Sequence, residues 1–306
     1  MSRLKIAKPD LVVVHGLTQY YGRRAVLKDV NFSIKAGQVM GLIGANGAGK
    51  TTIMKAMLGL NRVRRGTVAI ANERVTQLHH AVLAENVGAL IEHPAIYPFL
   101  TGWQQLQLIT KDVTQLQWIV ETLQMAAYIH QNAKHYSLGM RQQLGIAMAL
   151  VRQPKLVVLD EPMNGLDPQA VKRLRQTIRE LAQTGMTFFI SSHILSELEK
   201  VIDDVLVIDH GRVILQTPMQ QLRASYHQRL LLQTTDNAHA LVWLQQHHYG
   251  CALQNDVITV AAPDKLNQLM AGLIAQNIQI TRINEPAVDL ETILLTQLDQ
   301  VSGAGQ

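Results

Sequence analysis

Apolar and polar positions along this chain repeat with two periods. LVVV at 11–14 and VNFSI at 30–34 are short β-type runs separated by polar, glycine-containing stretches, and they predict strands. VMGLI at 39–43 predicts another strand and runs into a glycine-rich loop. TTIMKAMLGL follows, with Ile53, Met54, Met57 and Leu58 on one stripe, which predicts a helix. GTVAI at 66–70 and VGALI at 87–91 read as strands. From about 95 to 153 the spacing turns helical, and Pro154 stops the last of these segments. LVVL at 156–159 and TFFI at 187–190 are unbroken apolar runs, as expected of parallel strands buried on both faces, with a helix over 168–184 between them. A further helix is expected over ILSELEKVI at 194–202. DVLVID at 204–209 then returns through His210-Gly211 to VILQ as a hairpin. The layout is an α/β core with a helical insertion over about 95–153.

The pattern changes near residue 218. The remainder reads as strand 229–234, helix 237–248, strand 251–254, a turn at Asn255-Asp256, strand 257–261, helix 264–276 and strand 278–283. That order, βαββαβ, is the ferredoxin-like order. An amphipathic helix, DLETILLTQL, follows at 289–298. Two domains are expected: residues 1–218, and a small α+β domain over 219–306.

Charge sharpens this division. The net charge is +5, but residues 220–306 hold four Lys/Arg against seven Asp/Glu, which leaves +8 on the rest. A basic first part suits a polyanion such as a nucleotide, an anionic membrane surface or nucleic acid, and charge alone does not choose among them. Arg3, Lys5 and Lys8 read as a short basic tail. The single cysteine, Cys251, excludes an intrachain disulfide and fits a reducing compartment. No run of about 18 apolar residues predicts a membrane span. The twelve histidines lack metal-ligand spacing, and His79-His80 and His247-His248 are merely adjacent pairs.

The chemistry begins in the loop after 39–43. GANGAGKT at 44–51 fits G-x-x-x-x-G-K-[ST] between a strand and a helix, the context that makes a P-loop specific. Gly44, Ala45, Asn46, Gly47, Ala48 and Gly49 would wrap backbone N–H groups around phosphates at a helix N-terminus. Lys50 would reach the terminal phosphates, with Thr51 and Thr52 beside it, and the Thr51 hydroxyl would face Mg²⁺. LVVLDEP at 156–162 supplies the complementary acids. Asp160 stands at a strand's carboxyl end, where α/β sheets place ligands, and would hold Mg²⁺. Glu161 is the candidate general base for a water attacking the γ-phosphate.

YSLGMRQQ at 136–143 opens a helix about twenty residues before Asp160. It resembles the signature of ATP-binding-cassette (ABC) ATPases, commonly LSGGQ, in the SLGM form of the drug- and bacteriocin-export branch that includes bacitracin resistance. Ser137 and Gly139 are the matching positions; Tyr136, Leu138 and Met140 depart from the common form. The resemblance covers about residues 10–218. It implies a P-loop NTPase fold with a RecA-like core, an antiparallel β subdomain and a helical insertion. It places Asp167 in the D-loop (164–167), His193 as the switch histidine that contacts the γ-phosphate, and Tyr21 as the aromatic stacked on adenine, with Tyr20 as the alternative.

Glu92 stands where most such cassettes carry the glutamine of the Q-loop. ATP-bearing subunits of lantibiotic self-immunity exporters resemble this chain in having glutamate there. The resemblance therefore implies a catalytic or Mg²⁺-ligating role for Glu92 and coupling to a membrane subunit. It also implies ATP and Mg²⁺ as ligands, and hydrolysis of ATP sandwiched between two cassettes, most simply in a homodimer. The partner implied is a separate integral membrane permease, docked at 94–134 and Glu92 from the cytoplasmic face, with export of an antibiotic or antimicrobial peptide as the task. Cassettes that act on ribosomes or DNA carry two cassettes or long coiled coils. One cassette and no heptad run argue against a nucleic-acid partner. A cassette driving a sensor is the remaining alternative.

Overall fold

A computed structural model describes residues 9–77, 81–227, 229–261 and 266–284. The basic stretch 1–8 and the helix expected at 289–298 lie outside the described residues. The chain divides into two compact units, Met1–Pro218 and Met219–Gln306.

The first unit opens with β1 (Asp10–Tyr21), β2 (Arg24–Lys35), β3 (Val39–Ile43), α1 (Lys50–Met57), β4 (Arg65–Ile70) and β5 (Glu73–Arg74). It continues through α2 (Ala81–Asn86), β6 (Val87–Leu90), α3 (Gly102–Ile109), α4 (Val113–Thr122) and α5 (Leu138–Leu150). It closes with β7 (Leu156–Leu159), α6 (Pro168–Gln183), β8 (Thr187–Ser191), α7 (Leu195–Leu198), β9 (Asp204–Asp209) and β10 (Arg212–Pro218).

β1, β2, β4 and β5 make an antiparallel sheet in the order β2-β1-β4-β5, and the other six strands make a sheet in the order β10-β9-β3-β8-β7-β6. In the second sheet β9, β3, β8, β7 and β6 run parallel and β10 is antiparallel. The apolar runs explain the interior strands: every residue of β3, β7 and β8 is buried. Phe32 of β2 stacks on Phe189 of β8 with ring centroids 5.6 Å apart, within a core that also takes in Leu17, Leu27, Met54 and Leu206. This sheet order has a functional consequence. The carboxyl ends of β3, β8, β7 and β6 stand side by side, although the residues that follow them are far apart in sequence.

Two local expectations are corrected. The strands at 11–14 and 30–34 are the ends, remote from the turn, of two twelve-residue strands joined through Gly22-Arg23. The polar stretch between them reads as loop, but register shifts on either side of Leu17 absorb it and return Leu17 and Gln19 to the buried face. The helix expected over 194–202 is a single turn, α7. Leu198, Val201 and Ile202 are all buried at helical spacing, but the helix stops at Leu198 and the chain turns to enter β9. Asp203 fastens that turn: its carboxylate accepts from Val39 N at 2.9 Å and from Arg179 Nη1 at 2.8 Å.

The second unit contains α8 (Met219–His227), β11 (Arg229–Thr234), α9 (Asn237–Gln246), β12 (Gly250–Gln254), β13 (Val257–Ala261), α10 (Leu266–Ala275) and β14 (Ile280–Asn284). Its sheet is antiparallel throughout, in the order β12-β13-β11-β14. Leu232, Ile258 and Val260 of the sheet pack with Ala240 and Leu244 of α9 and Leu269 and Leu273 of α10. Asn255 and Asp256 both take positive φ, 49° and 61°, and close the β12–β13 hairpin. α8 was not expected from the sequence. Among the described residues no helix is long and apolar enough to cross a membrane.

Candidate functional site

The loop at 44–49 is shaped by its glycines. A Cβ on Gly44 would lie 2.3 Å from Ile208 O, so the loop can pass β9 only with glycine there. Gly49 has φ 113°, a conformation closed to other residues, and it is the N-cap of α1. It offers no side-chain cap and α1 has no acid in its first turn, so the first N–H groups and the positive helix end remain available to an anion. Lys50, 9% exposed, donates from Nζ to Gly44 O at 2.7 Å and to Ala45 O at 3.3 Å, which holds its charge against the loop.

The acids arrive from the neighbouring strand ends. Asp160 follows β7 and is 4% exposed, and its two oxygens are divided between two hydroxyls. Oδ2 accepts from Thr51 Oγ1 at 2.8 Å and Oδ1 from Ser191 Oγ at 2.5 Å. Glu161 N donates to the same Ser191 Oγ at 2.9 Å, and Gln142 Nε2 of α5 donates to Glu161 O at 3.3 Å. The Glu161 carboxylate accepts from His193 N at 3.0 Å and lies 2.7 Å from His193 Nδ1. Glu161 and Glu92 both take positive φ, 51° and 59°, which costs a non-glycine residue on the order of 1 kcal/mol each. Both acids thus sit at strained joints just beyond adjacent strands.

These elements surround one cavity of about 470 Å³, lined by Asn46 to Thr52 (Ala48 apart), Glu92, His93, Asp160, Glu161, Asn164 and Val26 of β2. Glu92 therefore faces the P-loop and not open solvent alone, although 58% of its side chain remains exposed. Its Oε1 lies 2.6 Å from Lys55 Nζ. The hydrogen bond to Glu92 raises the Lys55 ammonium above its ordinary range. Thr51 and Asp160 form a hard-oxygen pair of hydroxyl and carboxylate, already converged. That donor set suits Mg²⁺, which keeps several waters and takes one or two carboxylates together with phosphates.

Ser137, Gly139 and Asp167 are not among the residues lining that cavity. Ser137 caps α5, accepting from Met140 N at 3.2 Å, and Asp167 caps α6, accepting from Ala170 N at 2.8 Å. A Cβ on Gly139 would lie 3.0 Å from Gly165 O, so the start of α5 rests on the loop that leads to Asp167. Leu138 beside it is 69% exposed. Tyr21 and Tyr20 stand half exposed at the end of β1, where the Tyr21 hydroxyl accepts from Asn61 Nδ2 at 3.0 Å. Asn61 and Val26 had no signal in the sequence.

Sequence reasoning also missed Ser191. It is fully buried and its one hydroxyl orders both acids. Ser191→Ala is expected to cost about 1–3 kcal/mol of unfolding free energy, because it leaves a buried carboxylate oxygen and an N–H without their partner. Urea denaturation measures this, and stability equal to wild type would show that the hydroxyl carries no such load.

A profile of the ABC transporter family matches residues 27–164. Over 94% of both chains the sequence is 34% identical to an uncharacterized ABC transporter ATP-binding protein of Bacillus subtilis strain 168. It is 37% identical to the bacitracin transport ATP-binding protein of Bacillus licheniformis, over 76% of this chain and 77% of that one. It is 36% identical to the lantibiotic transport ATP-binding protein of Streptococcus pyogenes, over 67% of this chain and 90% of that one. Among solved structures, an ATP binding subunit of an ABC transporter superposes with a TM-score of 0.65 at 28% identity, covering 71% of this chain and 93% of that one. A dimeric ATP-binding cassette bound to ADP and Pi superposes with a TM-score of 0.62 at 22% identity, covering 68% and 98%, and shares the fold.

Proposed function

The chain belongs to the ABC transporter family, as an ATP-binding subunit related to those of bacitracin and lantibiotic transport, and from that premise we propose that it hydrolyses ATP to drive export of an antibiotic or antimicrobial peptide. The observation that carries the reading is the convergence of Lys50, Thr51, Asp160 and Glu161 on one cavity from two stretches of sequence more than a hundred residues apart. The N–H groups of 44–51 and the Lys50 ammonium bind and orient the β- and γ-phosphates. Thr51 and Asp160 hold Mg²⁺, which when bound supplies charge neutralisation on the phosphate oxygens. Glu161 accepts a proton from the water that attacks the γ-phosphorus. The bond from that phosphorus to the β,γ-bridging oxygen breaks, releasing ADP and phosphate. His193 holds the Glu161 carboxylate through its ring and its backbone N–H, and contacts the γ-phosphate once ATP is bound. Tyr21 stacks on the adenine.

Two cassettes share each nucleotide. In one chain, Gly139 rests on the 164–167 loop and neither Ser137 nor Gly139 lines the P-loop cavity, which favours their serving the nucleotide of a second copy across an interface. Loss of the γ-phosphate that bridges the copies lets them part. The permease is a separate chain, and this subunit lies on the inner face of the membrane. Its docking surface is the helical insertion, where Tyr97, Phe99, Leu108 and Val113 are each more than half exposed and Tyr97 and Phe99 touch with centroids 5.7 Å apart. Glu92, at the root of that insertion, couples the docking surface to the cavity.

The functional test is genetic. Deleting the chain in its host is expected to raise sensitivity to bacitracin or a lantibiotic by several-fold in minimal inhibitory concentration. Wild type should restore resistance, and a Glu161→Gln copy should not. Unaltered sensitivity across a panel of such peptides and other antibiotics would overturn the export reading.

A further inference from the structure

Lys55 sits one turn after Thr51 on α1, so the two side chains leave the same helix face. Thr51 reaches Asp160 at the end of β7, and Lys55 reaches Glu92 beyond β6 at 2.6 Å. One helix face thus holds two acids of the cavity. The charge balance there is adverse. Three carboxylates, Glu92, Asp160 and Glu161, line the cavity against the one ammonium of Lys50. A nucleotide adds several further negative charges on its phosphates. An uncompensated Glu92 would repel them.

We infer that Lys55 is the positioning residue of Glu92: it fixes that carboxylate at the rim of the cavity and cancels its charge, so that an acid can occupy this joint without weakening nucleotide binding. The inference rests on the proposed MgATP site. As a contributor to folding the pair is minor, since 58% of the Glu92 side chain and 27% of the Lys55 side chain are exposed. Its effect lies in the potential at the phosphates, and that separates it from an ordinary surface ion pair.

The test is a double-mutant cycle on the full chain, read as MgATP affinity by calorimetry, with thermal melting alongside. Lys55→Met is expected to weaken MgATP binding about tenfold, and Lys55→Gln serves in its place where the methionine variant folds poorly. Combining either with Glu92→Gln should return affinity to within about twofold of wild type, because the repelling charge is gone. Lys55→Arg should bind as wild type does. A double variant as weak as the single one would overturn the inference, by showing that Lys55 acts on the nucleotide or the fold without Glu92; so would a single variant that binds normally. Failure of the wild-type chain to bind MgATP would instead overturn the site itself.

Discussion

Glu161→Gln is expected to lower ATP turnover by about 100- to 10,000-fold while MgATP binding stays within severalfold of wild type. The geometry argues for so large and so selective an effect. The glutamine is nearly isosteric, and its carbonyl oxygen can still accept from His193 N at the position of the present 3.0 Å bond. The backbone of residue 161 stays anchored by Ser191 Oγ and by Gln142. What disappears is a proton acceptor at the edge of the cavity. Phosphate release under saturating MgATP measures the turnover, and calorimetry measures the binding. Turnover within threefold of wild type would assign the base to another residue.

Lys50→Ala is expected to weaken MgATP binding about 100-fold or more. Lys50 is buried and its ammonium spans the carbonyls of Gly44 and Ala45, so the truncation removes a charge from the phosphate site and a donor from the loop. Hydrogen bonds to charged groups are worth about 1.5–3 kcal/mol, and 2.7 kcal/mol is a hundredfold. Lys50→Arg should not rescue binding, because a planar fork does not fit a place made for a compact ammonium. Calorimetry on a variant whose circular dichroism matches wild type makes the check. Affinity retained within threefold would mean that the phosphates bind elsewhere.

Much of the site was legible because its chemistry is contiguous. The P-loop declares itself in eight successive residues between a strand and a helix, and Asp160-Glu161 in an apolar run that stops on two acids. Ser191 and Lys55 were not legible, for a different reason. Ser191 is a serine after a strand until β8 is placed between β3 and β7, and that neighbour relation skips over 140 residues of sequence. Lys55 is a polar-face residue of α1 until Glu92 is brought to it from 37 positions away. From β11 onward the order of the second unit was readable because short β-type runs are separated by helical stretches and Asn255-Asp256 marks the hairpin, although α8 was missed. The long β1–β2 pair was not, since its bulges hide the alternation that would reveal it. The curtailed α7 shows the same limit: ILSELEKVI has helical spacing, but the approach of the chain to β3 decides where it stops. There Gly41 packs against Ile202 and Leu198 with no room for a side chain.

In the proposed cycle two copies close on ATP and part when it is hydrolysed. Light scattering on size-exclusion chromatography of the Glu161→Gln chain, with and without saturating MgATP, tests it directly. A species of twice the 34.1 kDa chain mass is expected with MgATP and a single-chain species without it. A single-chain species that nonetheless carries bound MgATP would contradict it.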